Sequence, residues 1–222
     1  MNGNSPKSKV GERVQELRQE IAANYPDLTI GCDETKIYIR GTFPIQYEGK
    51  VLGRYQIEIE WSDSDSYAPV LRETGGRIPR TDDRHINRRD GTACVLVPEE
   101  WLLRSRSERT AIKYLDGPVR DFFIWQSLVE QGQEPTWKAR SHGFPGAMEA
   151  YADMVGMTEP KQIVKCLEYL SKGPIKGHWD CPCGSGKRLR NCHYDHLRGL
   201  TGKIPRRIAQ LSLERLRNRR KP

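Results

Sequence analysis

The stretch RHINRRDGTACVLVPEEW, residues 84–101, decides how the rest of the chain is interpreted. It contains one cysteine, Cys94, in a segment rich in turn-forming residues, and Asn87 precedes that cysteine by seven residues. An isolated cysteine most often behaves as a small buried hydrophobic residue. A reactive cysteine needs an accessible thiolate instead. The residues on either side of Cys94 must therefore decide between packing and chemistry.

The segments before this stretch predict one helix followed by a meander of strands. In residues 9–24, apolar side chains recur at the spacing of one helical face: Val10, Val14, Leu17 and Ile21. Four later segments are rich in β-branched and aromatic residues or alternate polar and apolar residues: 28–30, 36–43, 55–61 and 67–74. We expect these to be antiparallel strands, with a hairpin turn at 49–53 between the second and the third.

The segments after this stretch predict helices. Residues 107–131 have helical spacing, and we expect a break at Gly117-Pro118, because proline lacks the amide hydrogen that a continuous helix uses. Two further helices are expected near 147–155 and 160–171. The fold class is therefore α+β, with helices packed on an antiparallel sheet.

Composition indicates a folded protein. Of the 222 residues, 36% are hydrophobic and 30% are charged, which is typical of a chain with a buried core and a polar surface. The chain has no run of 18 apolar residues, and its first seven residues, MNGNSPK, lack the apolar segment of a signal peptide. We expect a cytoplasmic protein without a membrane partner.

The basic charge is concentrated at one end of the chain. Residues 172–222 hold 14 basic and three acidic side chains, a net charge of +11, whereas residues 1–171 carry −3. Such a shift in charge indicates a domain boundary. We expect a disordered lead at 1–8, a main domain at 9–172 that ends in helices, and a small module at 173–222.

The order of features around Cys94 resembles that of ubiquitin-conjugating enzymes. In that family a helix and a four-stranded meander precede a His-Pro-Asn motif, a glycine three residues before the active cysteine, and a tryptophan soon after it. The corresponding residues here are His85-Ile86-Asn87, Gly91, Cys94 and Trp101. The resemblance covers roughly residues 8–155 and implies the fold of that family, with C-terminal helices.

The resemblance implies that Cys94 accepts a ubiquitin-like modifier from its activating enzyme as a thioester and passes it to an amine on a target protein. It assigns Asn87 to stabilising the oxyanion or ordering the loop, and His85 to holding the loop by hydrogen bonds. It assigns Trp101 to the core. Two departures leave the loop geometry open: Ile86 stands in place of the proline, and Asn87 lies one residue closer to the cysteine than usual.

Other interpretations of this stretch remain. The side chains of Arg84, Arg88 and Arg89 either lower the pKa of the Cys94 thiol or only solvate the loop. A cysteine protease that pairs Cys94 with His142 is a further alternative, although no local signature supports it.

The most specific motif in the chain is CPCGSGKRLRNCH, residues 181–193. Two cysteines one residue apart, followed by eight residues and an adjacent Cys-His pair, supply the four ligands of a tetrahedral zinc site. The Gly-Ser-Gly segment allows a tight turn between them. The motif looks like the SEC-C zinc motif, C-x-C-x8-C-[C/H]. It predicts a structural zinc bound by Cys181, Cys183, Cys192 and His193. His196 is an alternative fourth ligand.

The basic tail and the zinc motif indicate partners. Residues 203–222 have the pattern of a basic helix, which either binds nucleic acid or an acidic surface, or packs on its own module. SEC-C modules act as docking units, which favours a target protein. Bacterial relatives of this kind often belong to antiphage defence systems, so the resemblance suggests that setting. The alternative function is a non-catalytic adaptor that uses the conjugating-enzyme fold and the zinc module for protein or nucleic-acid binding.

Overall fold

The computed structural model describes residues 6–33, 36–61, 68–105, 107–133, 140–141 and 143–218. Helices and a four-stranded antiparallel sheet make it an α+β structure, as predicted. The chain divides into two compact units. The first contains Met1–Pro98 and Arg104–Lys138, and the second contains Glu99–Leu103 and Ala139–Pro222. In the part of the chain described, no helix has both the length and the apolar character to cross a bilayer.

The sheet is the meander that the sequence predicts. Its strands are β1 (Leu28–Cys32), β2 (Ile37–Tyr47), β3 (Lys50–Trp61) and β4 (Val70–Glu73), each paired antiparallel with the next. Glu48 and Gly49, with φ of 49° and 75°, form the turn between β2 and β3, and such paired positive values are typical of a tight hairpin. The turn therefore lies earlier than the predicted 49–53.

The two faces of the sheet differ because side chains alternate along a strand. One face is buried, with members on three strands: Ile39, Phe43, Ile45, Tyr55, Ile57, Ile59, Trp61 and Leu71. On the opposite face, Glu58 Oε2 lies 2.7 Å from Arg40 Nε, and Glu58 Oε1 lies 3.6 Å from Arg72 Nη1. Helices of the first unit pack on the sheet, one against β1 and another against β2 and β3.

The helices occupy the following ranges: α1 (Pro6–Asn24), α2 (Pro98–Leu103), α3 (Ala111–Tyr114), α4 (Arg120–Glu130), α5 (Gly143–Val155), α6 (Pro160–Lys172), α7 (Tyr194–Lys203) and α8 (Arg206–Asn218). In α1 the predicted face is buried at Val14, Leu17 and Ile21. The helix begins at Pro6, so residues 6–8 of the predicted lead lie within its bounds. Residues 1–5 of that predicted lead lie outside the described residues.

The predicted break at Gly117-Pro118 is wrong. A π-helical turn, Leu115–Val119, joins α3 to α4 without interrupting the helical path, and its wider hydrogen-bonding pattern accommodates the missing amide hydrogen of Pro118. The α4 helix packs on β2 and β3, where the Phe123 ring stacks on Tyr55 with a centroid distance of 4.4 Å.

The second unit is built around α6 and α8, and α5 and α7 also pack against α6. Trp101, in α2, is 2% exposed, as predicted for a core residue. The α2 helix joins α8 through an ion pair, with Glu99 Oε1 3.1 Å from Arg215 Nε. These contacts assign α5, α6 and residues 99–103 to the same compact unit as the zinc motif, whereas the charge pattern predicts a boundary at residues 172–173.

Candidate metal cluster and Cys94 loop

Four predicted zinc ligands lie together in the second unit. The ligand atoms of Cys181, Cys183, Cys192 and His193 are all within 4.8 Å of one another. His193 Nδ1 lies 3.2 Å from Cys181 Sγ and 3.2 Å from Cys192 Sγ, and the Sγ atoms of Cys183 and Cys192 are 3.6 Å apart. Ligands about 2.0–2.3 Å from a tetrahedral zinc lie roughly 3.3–3.8 Å from each other. The cluster therefore has the size and the donor atoms of a site that could bind such a metal ion.

A tight turn brings the cysteines together. The backbone N–H of Cys181 donates to the Lys187 carbonyl oxygen at 2.9 Å, and the N–H of Gly184 donates to the Cys181 carbonyl oxygen at 3.4 Å. Gly184 and Gly186 have φ of 79° and 71°, which side chains other than hydrogen disfavour. The Gly-Ser-Gly segment therefore closes the turn, as the sequence predicts.

Ser185 is a contributor that sequence reasoning missed, because it was interpreted only as part of the turn. Its Oγ lies 3.2 Å from Cys183 Sγ and 3.6 Å from Cys192 Sγ. Hydrogen bonds from the Ser185 hydroxyl and backbone lower the pKa of the Cys183 thiol to about 6, whereas burial raises the pKa of the Cys181 thiol to about 11. A bound cation would favour the thiolate at both positions.

Helix α6 holds the metal-binding turn through two hydrogen bonds. Gln162 Nε2 donates to the Cys183 carbonyl oxygen at 3.0 Å, and the Tyr169 hydroxyl donates to the Asp180 carbonyl oxygen at 2.8 Å. These two bonds fasten the backbone on both sides of Cys181 to one rigid element.

His196 lies apart from the cluster. Its Nε2 is 2.8 Å from the Val155 carbonyl oxygen, and its ring lies against Gly156, where a Cβ would approach Cε1 to 3.1 Å. The imidazole therefore ties α7 to the end of α5. Among the described residues the histidine of the cluster is His193 and not the alternative His196.

The residues predicted around Cys94 share one short antiparallel loop in the first unit. The Cys94 N–H donates to the His85 carbonyl oxygen at 2.8 Å, and the Asn87 N–H donates to the Thr92 carbonyl oxygen at 2.9 Å. The side chain of Cys94 is exposed, so it does not pack as a core residue. This exposure removes the main argument for a purely structural cysteine.

The side chains of Asn87 and His85 have defined local contacts. Asn87 Oδ1 accepts the Arg89 N–H at 3.0 Å, which leaves Nδ2 as the end of this amide that can donate outward. His85 has a left-handed backbone with φ of 52°, and its ring meets the Trp125 ring edge-on at a centroid distance of 5.5 Å. The conformation of the loop therefore depends on the backbone of His85 and on its contact with Trp125, and the local sequence indicates neither.

The arginines near Cys94 differ from one another. Arg84 Nε donates to Gln126 Oε1 at 2.7 Å, and Gln126 Nε2 donates back to the Arg84 carbonyl oxygen at 2.7 Å. Arg84 therefore fastens the loop to α4 and does not solvate it. Arg88 is exposed, with Nε 3.7 Å from Asp82 Oδ1.

Two residues named with the Cys94 stretch are not part of this loop. Trp101 belongs to the second unit. His142, the alternative protease partner, lies outside the described residues.

Comparison of the chain with protein-family models, with curated proteins and with solved structures found no match.

Proposed function

We propose that this protein carries a ubiquitin-like modifier as a thioester on Cys94 and transfers it to an amine of a target protein, which a zinc-bound module docks. The observation that carries the proposal is the exposed Cys94 at the end of a hydrogen-bonded loop that also holds Asn87 and His85. The loop follows a helix and a four-stranded antiparallel meander, the order expected from the resemblance to ubiquitin-conjugating enzymes.

The proposed reaction has two steps. The Cys94 thiolate attacks the carbonyl carbon of the modifier's C-terminal thioester on an activating enzyme, and the thiolate of that enzyme leaves. A target amine then attacks the same carbon. The new carbon–nitrogen bond forms, the Cys94 thiolate leaves, and the amine gives up its proton to solvent or a base.

Both steps develop negative charge on the carbonyl oxygen, which a hydrogen-bond donor would stabilise. The backbone N–H of Cys94 is already bonded to the His85 carbonyl oxygen. The Asn87 amide keeps its Nδ2 hydrogens as donors, because Oδ1 is the atom that accepts from Arg89. We assign the oxyanion to Asn87 and the support of the loop to His85.

The metal of the cluster would be structural. Four protein ligands complete a tetrahedral zinc site and leave no position for a water or substrate. Its role in the proposal is to hold the docking module in one conformation.

The direct test mixes the protein with candidate modifiers, their activating enzymes and ATP, and follows adducts on non-reducing gels. The intact protein should form an adduct that a thiol reductant cleaves. Cys94→Ser should form an ester that resists the reductant, and Cys94→Ala should form none. Cys32→Ala is the matched control, since Cys32 is also exposed in the first unit. An adduct that persists in Cys94→Ala, or the absence of adducts with every pair, would contradict the proposal.

An adaptor without catalysis is the second candidate, favoured by the engagement of Asn87 within its own turn. Alkylation by iodoacetamide separates the two, because an active-site thiolate reacts faster than an ordinary exposed thiol. The references are Cys32, which is exposed, and Cys166, whose burial raises its pKa to about 12. Faster alkylation of Cys94 than of Cys32 supports the enzyme, and equal rates support the adaptor.

A further inference from the structure

The second unit presents an aromatic side chain at its surface beside the metal cluster. Trp179 is half-buried, and its ring lies against the Tyr169 ring with a centroid distance of 4.6 Å and an interplanar angle of 35°. The Tyr169 hydroxyl is held by the Asp180 carbonyl oxygen, so the pair has a fixed support. A partly exposed aromatic ring on a rigid support can stack with a nucleobase.

Two lysines of α6 lie near the Tyr169 ring of this pair. Lys165 Nζ lies 5.3 Å and Lys172 Nζ 6.0 Å from the centroid of the Tyr169 ring. Both lysines are exposed. Their ammonium groups therefore lie beside the aromatic pair and remain accessible to an anion.

The segment that closes the metal turn adds arginines. Residues 177–180 run alongside residues 188–190: the Leu189 N–H donates to the Trp179 carbonyl oxygen at 2.7 Å, and the Arg190 N–H donates to the Gly177 carbonyl oxygen at 2.9 Å. Arg188 and Arg190 are exposed. This pairing brings their side chains to the segment that carries Trp179.

We define the Trp179 surface by six residues: Lys165, Lys172, Lys176, Trp179, Arg188 and Arg190. Lys176 belongs to it because its carbonyl oxygen accepts the Trp179 N–H at 3.1 Å. All five of its cations are exposed. Two of them have acidic neighbours, since Lys165 lies 3.6 Å from Glu168 and Arg188 lies 2.8 Å from Asp180. With these two carboxylates counted, the net charge of the surface is +3.

Helix α8 lies within the basic tail, residues 203–222. It is less suited to bind an anion than the Trp179 surface is. Arg206 Nε donates to the Ser171 carbonyl oxygen at 2.8 Å, and Arg215 is paired with buried Glu99. Its apolar side packs on α6 within the same unit. Arg207 and Arg217 remain exposed on α8 and serve as references below.

We propose that the Trp179 surface binds single-stranded nucleic acid, with a base stacked on the indole and adjacent phosphates on the lysines and arginines. Bases of a duplex are stacked on each other and cannot use the indole in this way. An acidic peptide would use the charges but not the ring. Proteins that bind single strands with little sequence preference combine two features. Aromatic rings stack with the bases, and basic side chains neutralise the phosphates.

The test uses the full-length, zinc-loaded protein and a fluorescein-labelled twelve-nucleotide oligothymidine, with binding followed by anisotropy. We expect affinity to fall as salt rises, because bound phosphates release counterions. The same sequence in a duplex and a polyglutamate peptide should compete poorly. Equal competition by polyglutamate would show an acidic-protein surface and overturn the proposal.

Matched double variants locate the site. Lys172→Gln/Arg190→Gln should weaken binding about tenfold or more and lower the slope of log affinity against log salt by about 1.4, the loss of two phosphate contacts on a single strand. Arg207→Gln/Arg217→Gln removes the same charge from α8 and should change affinity less than about twofold. The reverse pattern would overturn the proposal.

Ring variants test stacking separately from charge. Trp179→Phe should retain most of the affinity, and Trp179→Ala should lose about tenfold. One bound zinc per chain in each variant shows that the module is folded. If Trp179→Ala keeps its zinc and binds as tightly as the original protein, stacking is excluded. Thioester formation at Cys94 is measured without nucleic acid, so the two proposals fail independently.

Discussion

At the scale of single residues, Glu99 is a charged side chain buried within the second unit. It is 2% exposed, and its Oε1 faces Arg215. Its other oxygen, Oε2, is buried, and the carboxylate lies near the buried Tyr151 hydroxyl, whose pKa is raised by burial and then by Glu99. A buried carboxylate is tolerated only when a countercharge compensates for lost hydration. The stability of the second unit therefore depends on Arg215.

Removing Arg215 should leave the Glu99 charge uncompensated. We expect Arg215→Leu to lower the free energy of unfolding by about 3–5 kcal/mol, measured by urea denaturation of the second unit. Arg217→Leu, on the exposed side of α8, should change it by less than about 0.5 kcal/mol. Replacing both partners, Glu99→Leu/Arg215→Leu, should recover much of the loss. Equal effects of the two single variants would contradict this role.

Tyr25 gives the first unit a defined alkaline sensitivity. Its hydroxyl donates to Asp116 Oδ1, and burial, followed by Asp116, raises its pKa to about 12. The unfolded chain loses this proton near pH 10. The stabilisation is therefore complete below about pH 10 and is lost as the pH rises towards 12. The difference in unfolding free energy between the original protein and Tyr25→Phe should stay constant from about pH 7 to 10 and then shrink. Parallel curves up to pH 12 would contradict it.

Among the elements, the start of the sheet depends on one glycine in β2. Gly41 has φ of 141°, and a Cβ there would lie 2.1 Å from the Asp27 carbonyl oxygen. That oxygen accepts the Thr42 N–H at 3.1 Å, so it cannot move without losing a hydrogen bond. The close approach of β2 to the chain before β1 therefore requires glycine.

Two alanine variants separate crowding from backbone strain. Gly41→Ala should lower the unfolding free energy of the first unit by about 3 kcal/mol or more, since it combines a clash with an unfavourable φ. Gly49→Ala should lower it by about 1 kcal/mol, because its φ is 75° but no described atom lies within 4 Å of the added Cβ. Urea denaturation of both variants measures the difference. If both variants lose a similar amount of unfolding free energy, the backbone has moved to relieve the clash at Gly41, and the prediction is wrong.

Elements defined by local patterns could be predicted from the sequence. The buried face of α1 and the alternation in β3 repeat over several residues. This period follows from the geometry of the element itself and does not depend on which element it packs against. Helix α2 could not be predicted in this way. Its six residues are too few for a period, and its packing depends on Arg215, which lies far along the chain. The π-helical turn at Pro118 could not be predicted either, because a proline inside a helix indicates a break, whereas here it lies between buried Leu115 and Val119.

The candidate sites show the same contrast. The metal ligands lie within one short motif, so their spacing alone predicted the cluster. The Cys94 loop depends on the left-handed backbone of His85 and on the pairing of Arg84 with Gln126. Neither has a signature in the neighbouring sequence, so the residues of the loop could be named but not its geometry.

At the scale of the whole molecule, a metal ion bound by the cluster should stabilise the second unit and not the first. Chelation with EDTA should lower the melting temperature of the second unit by about 10 °C or more and leave the first unit unchanged, since α6 is bonded to the metal turn through Gln162 and Tyr169. Calorimetry with and without one equivalent of zinc measures this. Cys192→Ser should behave like the chelated protein, and Cys32→Ser like the metal-bound one. Identical melting profiles with and without zinc would contradict a structural metal.

The placement of α2 also bears on how the protein is made. A ribosome releases residues 99–103 together with the first unit, yet their packing partners belong to the second unit and emerge later. Until then, Trp101 lacks its core and Glu99 lacks its countercharge. A nascent chain that lacks α8 should therefore expose the apolar residues of α2 close behind Cys94 in sequence, and exposed apolar surface of this kind favours aggregation and chaperone binding.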